Sequence, residues 1–165
     1  SVAECAGYLQ KAINLLKLQT AASGSSEGTL KVIITVSPIR YAKYGYHGSQ
    51  LSKATLLLAA DKLVKENPGV VSYFPAYEIM NDELRDYRFY KEDMLHPSEQ
   101  AVEYIWERFR ATYFGKAAEQ FLEDWRPIRE ALGHKPFHPE SEEHQKFIAR
   151  TEEKKRQFEE RYHLL

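Results

Sequence analysis

The sequence predicts an α/β domain built on two parallel strands and followed by a helical C-terminal region. Three observations carry this. Lys31-Val32-Ile33-Ile34-Thr35-Val36 is a β-branched run bounded by Gly28 and by Ser37-Pro38. Such a run suits a strand buried on both faces, as in a parallel sheet. Val70-Val71-Ser72-Tyr73-Phe74 is a second strand, ended by Pro75. Helical spacing fills residues 50–65 between them, and in a strand–helix–strand unit parallel pairing with a right-handed crossover is the default.

The elements follow in order. Residues 2–19 read as a helix whose apolar face is Leu9, Ala12, Ile13 and Leu16. Residues 21–28, rich in Ser and Gly, form a flexible polar connection. After the first strand comes a loop rich in Tyr, Gly and His over residues 40–48. Ser49 is the expected cap of the next helix, whose inward face is Leu51, Ala54, Leu58 and Leu63; Asn67-Pro68-Gly69 stops it. Beyond the second strand, residues 76–80 form a helical turn and 81–91 an ordered loop dense in Asp, Arg and Tyr. Residues 99–113 are an amphipathic helix with Ala101, Val102, Ile105, Trp106 and Phe109 inward. Residues 117–132 form another, with a kink expected at Pro127. After a turn at 133–139, residues 142–162 form a highly charged helix with a thin seam of Phe147, Ile148 and Phe158. The expected division is an α/β portion over 1–114 and a helical extension packing on it over 115–165.

Composition bounds the function. The 165 residues suffice for one domain with a real core. A net charge of −1 gives no electrostatic footprint for nucleic acid. No apolar run reaches membrane-spanning length, so no membrane partner is expected. The single cysteine, Cys5, excludes an internal disulfide and fits a reducing compartment, the cytoplasm being favoured. The chain has no signal-peptide pattern and no initiator Met, and is expected to be cut from something longer. Two strands alone make a marginal sheet. The chain is therefore read as the C-terminal part of an α/β domain. Homodimerisation through the open sheet edge is one compensation available to it in isolation.

Asp93-Met94-Leu95-His96-Pro97-Ser98 is the most informative stretch. A carboxylate beside an imidazole fixes its tautomer and stabilises the imidazolium, which makes histidine a general base. The plainer reading is a capping loop, since Asp in turns and Pro and Ser at helix starts are ordinary. Ser37 and Arg40 sit just past a strand's C-terminal end, where open α/β sheets bind ligands, and are candidates for substrate contact; the alternative is a Pro-anchored turn with Arg40 in an ion pair. His47 is a candidate for a pocket mouth or an exposed loop residue. Arg85, Asp86 and Arg88 suit an anion or, more commonly, a mutual ion-pair network. Ser49, Ser52 and Ser98 are the nearby serines, and Ser49 and Ser98 read as caps. His134, His138 and His144, with Glu140 and Glu143, lack a zinc spacing and read as a polar turn; no metal or cofactor is expected.

Three segments in order also carry a resemblance: Thr35-Val36-Ser37-Pro38-Ile39-Arg40, then Tyr73-Phe74-Pro75-Ala76-Tyr77-Glu78-Ile79-Met80, then Asp86-Tyr87-Arg88-Phe89-Tyr90 running into Asp93-Met94-Leu95-His96-Pro97-Ser98. Together they resemble the C-terminal half of the GSCFA family, of the SGNH or GDSL-like hydrolase superfamily, over most of residues 30–112 and less distinctly over 133–140. The resemblance implies a flavodoxin-like three-layer α/β/α domain. It implies that His96 is the general base and Asp93 its orienting acid. The family's nucleophilic serine and its oxyanion-hole glycine and asparagine lie in upstream blocks without a counterpart in these residues. The expected function is thus part of a serine esterase or acyl-hydrolase acting on O-acyl esters, carbohydrate esters among them, and inactive alone. The alternative is a non-catalytic interaction or assembly module.

Overall fold

The computed structural model describes residues 1–22, 30–136 and 140–164. The polar connection expected over 21–28 lies outside them from residue 23 onward. The chain divides into two units, Ser1–Phe109 and Arg110–Leu165.

In the first unit, helix α1 (Val2–Ala22) precedes strand β1 (Val32–Thr35); helix α2 (Gly45–Glu66) then leads to strand β2 (Val71–Phe74). The strands pair in parallel, Val32 opposite Val71 and Thr35 opposite Phe74. The first pass of the chain is thus the expected strand–helix–strand unit, and α/β is the fold class. Successive residues alternate between faces. Val32, Ile34 and Val71 face the core formed with Ala6 and Ile13 of α1 and Ala59 and Leu63 of α2. On the opposite face Phe74 meets Phe109 of helix α4 (Glu99–Tyr113) edge to face, ring centroids 5.1 Å apart. Ile33 remains 39% exposed, so β1 is not buried on both faces as its composition suggested.

The helices bury different faces from those expected. Ile13 and Leu63 are buried as anticipated, but Leu9, Leu16, Leu51 and Leu58 are exposed. The α1–α2 contact is made through Ala6 and Ala59, small side chains that allow close approach. Ala59 lies one residue, roughly 100° around the helix, beyond Leu58. Val102 of α4 is likewise exposed, while Ala101 is buried against Met80 and Leu84. Full burial of Leu63 and Met80 contributes about 1.5–3 kcal/mol each.

Helix α2 begins at Gly45, within the expected loop, and follows a 3-10 turn at Ala42–Tyr44. Gly45 at φ 72° takes a backbone conformation that favours glycine. Ser49 is therefore inside the helix rather than its cap. Its buried hydroxyl accepts the Tyr41 N–H at 3.1 Å. After β2, helix α3 (Ala76–Glu78) continues into a π-helical turn at Ile79–Glu83, so the expected loop at 81–91 starts as helix. A 3-10 turn at Tyr87–Phe89 precedes the site loop.

In the second unit, α5 (Lys116–Gly133) and α6 (Glu142–Arg161) pack together. Phe121 of α5 meets Phe158 and the Tyr162 ring at centroid distances of 4.9 and 4.8 Å, and Trp125 meets Phe158 at 5.1 Å. Ile128 and Phe158 are buried. Phe147 and Ile148, expected in the seam, are exposed. Pro127 lies inside α5, which runs on to Gly133. Ser141 caps α6, its hydroxyl accepting the His144 N–H at 3.2 Å. Among the described residues no helix is long and apolar enough to cross a membrane.

Candidate functional site

Residues 89–98 form a loop closed by its own backbone. The Ser98 N–H donates to the Phe89 carbonyl at 2.7 Å and the Lys91 N–H to the His96 carbonyl at 2.8 Å. Tyr90 and Pro97 pair as an antiparallel bridge. Met94 turns the chain at φ 59°, an uncommon conformation for a residue with a Cβ. Ser98 accepts the Ala101 N–H at 3.3 Å and is the cap its position suggested.

Asp93 does two jobs within this loop. Its Oδ1 accepts the backbone N–H of Leu95 at 2.8 Å and of His96 at 3.0 Å. Its Oδ2 lies 2.6 Å from His96 Nδ1. The backbone N–H of His96, then that of Leu95, then the imidazole hold the carboxyl down at about 2. Asp93 is therefore an acceptor at neutral pH, and we assign the Nδ1 proton to His96 on that ground. Nε2 is left as a lone-pair acceptor. His96 is 51% exposed and Asp93 44%. Ser98 caps the helix, while Asp93 shapes the turn and bonds the imidazole.

Arg40 comes to this loop from the end of β1. Its N–H donates to the Leu95 carbonyl at 3.0 Å and its Nη1 to the Met94 carbonyl at 3.3 Å. The guanidinium carbon lies 4.4 Å from the Tyr90 ring centroid, 5.6 Å from Tyr87 and 5.9 Å from Tyr46. Rings at such distances attract the cation and hold it in place. Arg40 also lines two clefts, one of about 240 Å³ with Met80, Leu84 and Arg85, another of about 490 Å³ with Tyr46, Gln50 and Met94.

The other candidates lie elsewhere. The Ser37 hydroxyl accepts the Ile39 N–H at 3.2 Å and its carbonyl accepts the Lys53 ammonium, so its polar groups serve the turn after β1. His47 is exposed in the first turn of α2 and lines neither of Arg40's clefts. The expected ion-pair network of Arg85, Asp86 and Arg88 does not form among the described residues. Asp86 instead accepts the Arg88 backbone N–H at 2.9 Å, and the Arg88 guanidinium lies over Phe89 at 4.8 Å. His134 and His144 both pack on Phe147; His138 is outside the described residues.

Two features escaped the sequence reading. One is the tyrosine cage around Arg40, drawn from two separate segments; only the abundance of Tyr hinted at it. The other is Tyr73, whose hydroxyl donates to Glu78 at 2.8 and 3.1 Å. Burial, then the Glu78 carboxylate, push this phenol above its ordinary pKa.

The GSCFA family model matches residues 1–109, a span that contains the acid–histidine loop, Arg40 and both clefts. The chain belongs to the GSCFA family. A second model, the C-terminal domain of GSCFA domain proteins, matches residues 125–164 of this GSCFA protein, the α5–α6 segment. No curated protein and no solved structure matches the chain.

Proposed function

We propose that this GSCFA protein supplies the acid–base half of a serine ester hydrolase of the SGNH type, with a flavodoxin-like parent domain. The observation that carries the reading is the 2.6 Å approach of Asp93 Oδ2 to His96 Nδ1, in a loop whose backbone fixes the carboxylate. His96 Nε2 takes the proton from a serine hydroxyl as that oxygen attacks the acyl carbon. The imidazolium then returns the proton to the leaving alcohol. Asp93 orients the ring and stabilises its charged form without taking the proton. The substrates are O-acyl esters, carbohydrate esters among them. The nucleophile and oxyanion donors are contributed by residues outside this sequence, and these 165 residues are inactive alone.

The test is fluorophosphonate labelling of the full-length protein, its His96→Ala variant and this chain. The reading expects one adduct on the full-length protein, lost in His96→Ala and absent from this chain. A folded full-length protein that takes no adduct and hydrolyses no acyl ester would overturn it.

The exposed leucines of α1 and α2 favour a second reading, a non-catalytic interaction or assembly module that self-associates. A monomeric mass in solution with protected β1 and β2 amides would count against it.

A further inference from the structure

We propose that the cleft between Arg40 and Arg85 is a binding site for a small-molecule oxyanion, a carboxylate or phosphate group. Both arginines line it, and neither forms an ion pair with a carboxylate among the described residues. The acid beside them, Asp86, has Oδ1 occupied by the Arg88 N–H. Two arginines against one aspartate leave the lining net positive. Other arginines of the chain are neutralised by acids: Arg156 meets Glu153 and Arg161 meets Asp124, both at 2.7 Å.

Arg40 is already ordered. Three tyrosine rings surround its guanidinium, and one donor is committed to the Met94 carbonyl. Its remaining donors form a planar fork that matches a carboxylate or phosphate edge. An immobilised cation loses little side-chain entropy on binding. Met80 and Leu84, both buried, give the cleft an apolar side beside its charged one. Asn81 adds a polar group; its side-chain nitrogen is committed to the Tyr77 carbonyl at 2.6 Å.

Size narrows the ligand. A volume of about 240 Å³ is below the roughly 300–1,000 Å³ of a pocket for a drug-sized molecule. The cleft takes a charged head group, with the rest of the molecule outside. Because Arg40 is bonded to the Met94 and Leu95 carbonyls, the ligand sits beside the loop that carries His96. If the ester-hydrolase reading holds, the substrate is an anionic ester; that last step alone rests on it.

The test is titration of this chain with inorganic phosphate and, separately, with succinate, followed by amide chemical shifts. Arg85→Gln removes one charge of the cleft without touching the Arg40 contacts. Arg88→Gln removes an equal charge from outside it. The proposal expects saturable binding of at least one probe, weakened about tenfold or more in Arg85→Gln and within about twofold of the parent in Arg88→Gln. Preference for phosphate or succinate identifies which oxyanion is bound. No saturable shift with either probe, or equal weakening by both variants, overturns the proposal. These readouts need no catalysis, so failure of the hydrolase reading leaves them intact, and their failure leaves that reading standing.

Discussion

Arg40 and Arg85 of the N-terminal unit are held differently from Arg110, Arg156 and Arg161 of the C-terminal unit. In the C-terminal unit, Arg110, Arg156 and Arg161 meet Glu119, Glu153 and Asp124. In the N-terminal unit, Arg40 is held by tyrosine rings and backbone carbonyls, and Arg85 meets no acid among the described residues. Paired charges neutralise each other, and the Arg110 and Arg161 pairs also link neighbouring helices. A cation fixed without a counter-ion keeps its field available to something else. The same residue type thus serves structure in one place and leaves unspent binding capacity in the other.

The sharpest way to break this comparison is to exchange the expected consequences. His96→Ala in the full-length protein should lower ester hydrolysis by about 10²–10⁴-fold, the usual worth of a general base. It should leave the melting temperature nearly unchanged, because His96 is half exposed. Loss of fold along with activity would make the loop structural. Phe158→Ala should do the reverse. It removes the ring against which Phe121 and Trp125 pack and should cost the C-terminal unit about 3–5 kcal/mol, read by urea denaturation. Leu63→Ala should cost the N-terminal unit about 2–5 kcal/mol by the same measurement, since Leu63 is fully buried between α1 and α2.

Smaller effects sharpen the contrast. The Asp93 carboxyl is held at about 2, below the ordinary value of 3.8. Its stabilisation of the loop is therefore present in full above the ordinary carboxylate range. It fades as pH falls below 3.8 and is lost once pH passes through 2. The Leu95 and His96 amide resonances should report this transition; a titration centred near 4 would show that the turn does not hold the carboxylate. The smallest effect belongs to Tyr162→Phe. It removes one hydrogen bond to Asp124 while the Arg161 pair remains, and should lower the denaturation midpoint only slightly.

Much of this was legible in advance because the signals were local. The β-branched run at β1, Pro75 after β2 and the Asp93–His96 spacing each act within a few residues, and the structure has parallel strands and the 2.6 Å contact at those places. The helix faces were misjudged because periodicity marks apolar stripes without saying which one finds a partner. Leu51, Leu58 and Leu63 share the stripe, yet of these Leu63 alone is buried, and Ala59 from outside the stripe joins it. Ser49 was misplaced because a capping serine and a buried hydroxyl serving a distant N–H look alike in one dimension. The tyrosine cage was illegible for a stronger reason: Tyr46, Tyr87 and Tyr90 come together only once β1 delivers Arg40 to the loop.

The closed loop at residues 89–98 has a kinetic consequence. Bringing two groups together costs chain entropy that grows with the logarithm of their separation. Asp93 and His96 are three residues apart, and the bonds that orient them lie inside the segment that Ser98 closes onto Phe89. The β1–β2 pairing must instead span α2. Hairpin-sized segments close in roughly 1–10 μs. During refolding Asp93 and His96 are expected to meet on that clock, while the sheet is still searching for its register.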